Sequence, residues 1–225
     1  PSFSLSYWLL NFIRVLLIVA FSLLVRELAR KYFSARYNCT TEYRLWQIER
    51  YGLGRHTRLP KTILGVKLTG IPIGFILPIL IAFLSLGKIP FISTGIFIIS
   101  TSLIHRAGKK FLQVTEQEEA KIALSAIMAS LALAFVFKFL TPIFPGFEQV
   151  MKINLLLAFF HMLPFPDLDG AKIFFAGKTF YIFNLIFIIA AGLMLFTLGI
   201  ATTIILAIIF AAIIAANYHY FLRYK

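Results

Sequence analysis

Charge is what this sequence has least of. Of its 225 residues only 14% are charged, while 60% are hydrophobic. A soluble chain carries about 25% charged and about 45 to 50% apolar residues, so a water-soluble globular domain is excluded and lipid is the expected solvent. There is a single cysteine, Cys39, which rules out an intrachain disulfide and a thiolate zinc cluster. The four histidines are His56, His105, His161 and His219, and no two of them stand at a metal-ligand spacing. A cleaved leader is not expected either, because the first apolar run has its basic flank behind it and no small-residue cleavage pattern follows. No internal repeat, low-complexity tract or second domain is evident, so residues 1–225 read as one membrane domain.

What charge there is has one dominant sign. The formal net charge is +13, and ten Lys or Arg residues against three acids lie between Arg26 and Lys67. A nucleic-acid surface would need such a balance on a soluble face. Here the basic stretch directly follows an apolar run, which is the positive-inside pattern. Residues 26–67 are therefore expected on the cytoplasmic side, with a basic loop at about 37–67. The tail Arg223-Tyr224-Lys225 falls on the same side, and the location is a multi-pass protein of the cell membrane.

A spanning helix needs about 20 mostly apolar residues. Five stretches come close: 5–25, 68–86, 120–140, 180–198 and 200–218, with Gly199 as the turn between the last two. Two further apolar pieces are too short or broken. Residues 90–104, rich in Ile, Phe, Ser and Thr, read as extended or re-entrant chain. Residues 150–163 would make a helix of only about 20 Å, which must end inside the bilayer. The following segment, Pro164 to Gly170, is expected to be non-helical and buried among the helices, because irregular backbone is tolerated there only under cover. The expected fold is thus all-α and polytopic, with about six membrane helices and a short extended or re-entrant segment. Thr115-Glu116-Gln117-Glu118 fits a capping box and predicts a helix start near residue 116.

Two segments carry a resemblance: Arg26-Glu27-Leu28-Ala29-Arg30-Lys31-Tyr32, and Asn154 through Gly170 ending in Asp-Leu-Asp-Gly. They resemble the two halves of the active site in the site-2 protease family of intramembrane zinc peptidases, in its archaeal form. There a helix carries H-E-x-x-H, and a later N-x-x-P-x-P-P-L-D-G segment supplies the third ligand. Arg36-Tyr37 with Thr41-Glu42-Tyr43-Arg44-Leu45-Trp46, and residues 115–125, are similar to further stretches of that family. The resemblance puts Arg26 and Arg30 at the two histidine positions, Glu27 at the general-base position and Asp169 at the aspartate ligand. His161 stands where an asparagine is thought to hold substrate, and Asp167 where proline is usual.

H-E-x-x-H works because residues four apart share a helix face, so two neutral imidazoles hold zinc while the Glu activates its water. A guanidinium has five donors, no acceptor lone pair and a pKa above about 12, so it repels a cation. Zinc and any other cofactor are therefore not expected. Arg26 and Arg30 with Glu27 and Asp169 sum to zero charge, and the two guanidiniums are expected to replace the metal electrostatically. The plain alternative is that Arg26, Arg30, Lys31 and Arg36 anchor a helix end at the headgroups, with Glu27 paired to Lys31 and Asp169 solvated. For His161 a structural hydrogen bond is the ordinary role.

The resulting expectation is a non-catalytic pseudo-peptidase that binds other transmembrane proteins as a scaffold or complex subunit, with lipid as a further partner and no nucleic acid. An active zinc endopeptidase using Asp169, His161 and either Asp167 or Glu27 is the alternative. A transporter would need a polar track, and Arg14 with Lys138 is too thin for one. Arg14, inside the first apolar run, needs a headgroup or another subunit.

Overall fold

The computed structural model describes residues 5–47, 61–63, 66–68, 71–86, 91, 95–101, 114–197, 202 and 205. The first helix, α1, is Leu5–Arg36, 32 residues long. Between residues 5 and 36 there is neither proline nor glycine, so nothing in the chain stops the helix where the apolar run gives way to charge. Arg36 in the last turn suits the negative end of the macrodipole, and Asn38, at φ 54, ends the helix in a left-handed conformation. The basic segment expected to begin at residue 26 thus opens with eleven helical residues, and two of its cations, Arg26 and Arg30, are buried.

The chain then departs from the all-α expectation. Strand β1, Cys39–Leu45, lies within the anticipated basic loop, and β4, Gly95–Thr101, within the segment read as extended. They pair antiparallel from Cys39 opposite Thr101 to Leu45 opposite Gly95. A second antiparallel pair joins β2, Lys61–Ile63, to β3, Val66–Leu68. The β1 stretch holds Thr, Tyr and Leu in a charged context, which hydropathy alone reads as loop. Its strand form depends on a partner about 55 residues away.

Helix α2, Ile73–Leu84, has only 12 residues where a span over 68–86 was expected. Pro72 holds the N-cap position and β3 occupies residues 66–68, which leaves no room for an earlier start. Helix α3 is Glu116–Leu140. Its capping box is complete: Thr115 Oγ1 accepts from the Glu118 amide at 3.3 Å, and the Glu118 carboxylate accepts from the Thr115 amide at 3.0 Å. Helix α4 is Phe147–Met162, and α5 is Asp169–Ala176. Helix α6, Lys178–Thr197, covers most of the span expected at 180–198. The span expected at 200–218, and the turn at Gly199, lie outside the described residues.

Among the described residues three helices, α1, α3 and α6, are long and apolar enough to cross a membrane; they fall on three of the five stretches anticipated as spans, at 5–25, 120–140 and 180–198. The chain is a membrane protein. Its core forms around α3, which packs on α1, α4 and α5. Ala120, Ala123, Ala126 and Ala134 are buried; small side chains like these let neighbouring helix backbones approach closely. Phe21 of α1 meets Phe137 of α3, while Lys172 of α5 pairs with Glu119 at the other end of α3. Helix α4 runs alongside α1 in the same sense: Asn154 donates to Ser22 Oγ at 2.9 Å, and Leu157 lies opposite Arg26.

Candidate functional site

The site forms where the second half of α1 meets the end of α4 and the start of α5. The one-turn spacing of Arg26 and Arg30 puts both guanidiniums on the same face of α1, and that face meets Asp169. Arg26 Nη2 lies 3.0 Å from Asp169 Oδ2, and Arg30 Nη2 lies 2.9 Å from the same oxygen and 3.1 Å from Oδ1. Arg30 Nη1 binds Glu27 Oε1. Arg26, Arg30 and Asp169 are each at most 2% exposed, so their charges face one another rather than water or headgroups. Glu27 pairs with Arg30, not with Lys31 as the plain alternative held.

Asp169 reaches this place through a turn that differs in detail from expectation. Residues 164–167 are exposed, and only Leu168, Asp169 and Gly170 are buried. The non-helical segment ends at Leu168, the extended N-cap of α5, so Asp169 and Gly170 are helical. An acid in the first helical turn is stabilised by the macrodipole there. Gly170 is required by space: a Cβ on it would run into the Met162 carbonyl at the end of α4. Asp167 is exposed in the turn at φ 67 and contributes no charge to the cluster.

His161 is buried at 2% exposure, and its Nδ1 lies 3.0 Å from the Leu157 carbonyl. A carbonyl can only accept, so Nδ1 carries the proton, and the ring makes the structural hydrogen bond that is the ordinary role of a lone buried histidine. Arg26 Nη1 donates to the same carbonyl at 3.4 Å. His56, His105 and His219 lie outside the described residues.

Two contributors were not foreseen. Phe97 of β4 is 1% exposed, with the Arg30 guanidinium 4.3 Å and Lys172 Nζ 3.5 Å from its ring centre. Lys172 also donates to the Phe97 carbonyl at 2.7 Å and pairs with Glu119 at 3.0 Å. The ring thus offers its negative face to the buried Arg30 and the partly buried Lys172, and β4 is fastened to α5. The only available signal for Phe97 was its place in the extended segment 90–104, and Lys172 was visible only as the cation three residues after Asp169. Trp46 is buried too and packs on Phe165 of the turn, with ring centres 6.4 Å apart.

A zinc ion does not fit these donors. Two of the three positions that would hold it are guanidiniums without lone pairs, and the third, Asp169, already accepts from both. Among the described residues no three His, Cys, Asp or Glu side chains converge as a ligand set.

A "putative zinc metalloprotease" of Methanocaldococcus jannaschii is 31% identical to this chain over 180 residues, which is 77% of this chain and 73% of that protein. The chain belongs to the family of that zinc metalloprotease homologue, consistent with the site-2 protease-like motifs around Glu27 and Asp169. No family model matches the chain, and no solved structure does.

Proposed function

We propose that this chain is a non-catalytic member of its zinc metalloprotease family, a pseudo-peptidase that serves as a membrane scaffold or complex subunit binding other transmembrane proteins. The observation that carries this reading is the closure of Arg26 and Arg30 on Asp169: fixed cations stand where the family chemistry needs a Lewis acid. Glu27, the general-base position, is engaged by Arg30 through Oε1. Hydrolysis needs an activated nucleophile and a stabilised oxyanion, and two of the three positions that would carry a metal for either are guanidiniums without a lone pair. The cluster ties α1, α4 and α5 together, which supports a frame kept for its shape. The excess of cations in 26–67 supports an orientation with the basic segment and the C-terminal tail facing the cytoplasm.

The name of the relative favours a second reading, an active zinc endopeptidase with an altered ligand set of Asp169, His161 and either Asp167 or Glu27. Against it, Asp167 is exposed in the turn, Glu27 is bound to Arg30, and among the described residues no three such side chains converge.

The test is purification in mild detergent, followed by elemental analysis, a membrane-peptide cleavage assay and identification of retained proteins. The expected result is metal well below one equivalent, no cleavage and a co-purifying membrane protein. One equivalent of zinc that disappears in Asp169→Asn would establish the second reading. A chain that purifies alone and monomeric removes the scaffold role.

A further inference from the structure

Arg14 lies twelve positions before Arg26 on the same helix but in a different setting. It is exposed, and its guanidinium carbon lies 5.9 Å from the centre of the Phe144 ring. At 1.5 Å per residue Arg14 stands about 33 Å along α1 from Arg36, close to the thickness of a bilayer hydrocarbon core. The two arginines thus stand about one hydrocarbon thickness apart along the helix.

Other cations gather beside Arg14. Lys138 is in the last turn of α3 and Lys152 in the second turn of α4, and Glu148 is the acid among them. Glu148 accepts from Lys152 at 2.7 Å. Its carboxyl is held below the ordinary carboxylate value by that hydrogen bond first, then by the Lys152 charge, with Lys138 adding a smaller pull. Three cations answer to one acid, which leaves an excess of two positive charges.

The surface around these groups has two adjoining hollows that share Arg14. One, of about 490 Å3, is polar-edged and lined by Arg14, Gln149, Lys152 and Glu148 with the backbone at Gly146. The other, of about 350 Å3, is apolar and runs between α1 and α4 along Leu10, Ile13, Leu17, Phe147 and Val150. Gly146 makes room for the guanidinium, since a Cβ there would meet Arg14 Nη2.

We infer that this end of the molecule binds one anionic phospholipid, its phosphate held by Arg14 and Lys152 and an acyl chain laid in the groove between α1 and α4. Cationic excess at a headgroup layer selects an anionic head. The apolar groove beside it distinguishes a lipid from a free phosphate, which has nothing to place there. The site is independent of the reading given to the Arg26, Arg30 and Asp169 cluster.

The chain is reconstituted into nanodiscs of equal parts phosphatidylglycerol and phosphatidylcholine, released, and its retained lipids identified by native mass spectrometry. Wild type retains phosphatidylglycerol in preference. Arg14→Gln lowers that retention about fivefold, the loss of one interfacial cation. Gly146→Ala, which keeps the charge but displaces the guanidinium, lowers it too, while Arg36→Gln at the far end of α1 does not. Equal retention of both lipids, undiminished phosphatidylglycerol on Arg14→Gln, or a bound protein in place of lipid that is lost with Arg14→Gln, would each overturn the proposal.

Discussion

Arg14 and Arg26 are the same residue on the same helix, twelve positions apart, and they live by different rules. Arg26 is 1% exposed and bound to Asp169, whereas Arg14 is exposed and rests on an aromatic ring. At one end of α1 the counter-charge comes from the fold, through a turn that delivers an acid from 143 residues away. At the other the acid nearby, Glu148, is already held by Lys152, and the counter-charge has to come from the surroundings. A buried pair is costly to break because the remaining charge is stranded in a low dielectric. An exposed pair is solvated whether intact or broken. Burial, more than residue type, sets what each arginine is worth.

The comparison breaks most sharply at Asp169. Asp169→Asn leaves two buried guanidiniums facing each other, and a loss of about 3 to 5 kcal/mol is expected, read as a fall in melting temperature in mild detergent. An unchanged melting temperature would mean that the cluster is not what joins α1 to α5. Removing the cations together with the acid, as Arg26→Met, Arg30→Met and Asp169→Leu, should recover most of that loss, because the one charge left without its partner, Glu27, is 21% exposed rather than fully buried. If the triple variant is less stable than Asp169→Asn alone, packing rather than charge decides this region.

The two glycines sharpen the same contrast. Gly170→Ala drives a methyl into the Met162 carbonyl, a backbone atom that cannot swing aside, and about 1 to 3 kcal/mol of stability should be lost. Gly146→Ala meets only the flexible end of Arg14 and the Phe144 ring, so its melting temperature should stay near wild type while lipid retention falls. Phe97→Leu removes the ring from two cations and should cost up to about 2 kcal/mol. Smallest of all, Glu148→Gln breaks an ion pair whose side chains are about half exposed, 52% and 48%, and thermal melting should register no change. A large drop there would contradict the division between the two ends.

The helices were legible where composition and a local cap agreed. The start of α3 was readable because its capping box is a contact between residues three apart, and α6 because a long apolar run has few alternatives in lipid. The end of α1 at Arg36 agrees with a basic loop placed from about residue 37, and the helix carries on past the apolar run at 5–25 because Arg and Glu are good helix formers. Strand β1 was missed because its ladder partner is β4, far along the chain. The turn at residues 164–168 was foreseen as irregular but not where it would end, since proline forbids helix at its own place without saying how soon afterwards one starts.

The sequence by itself determined that this chain belongs in a membrane, since a chain 60% hydrophobic and only 14% charged has no other solvent, and that Arg26 and Arg30 share a helical face, since a period of 3.6 residues leaves no choice. Only the tertiary structure decided that this face meets Asp169 rather than headgroups, and that Phe97 and Lys172 complete the surroundings. Pairing across more than a hundred residues depends on how α1, α4 and α5 pack around α3, and no local pattern of side chains encodes that packing.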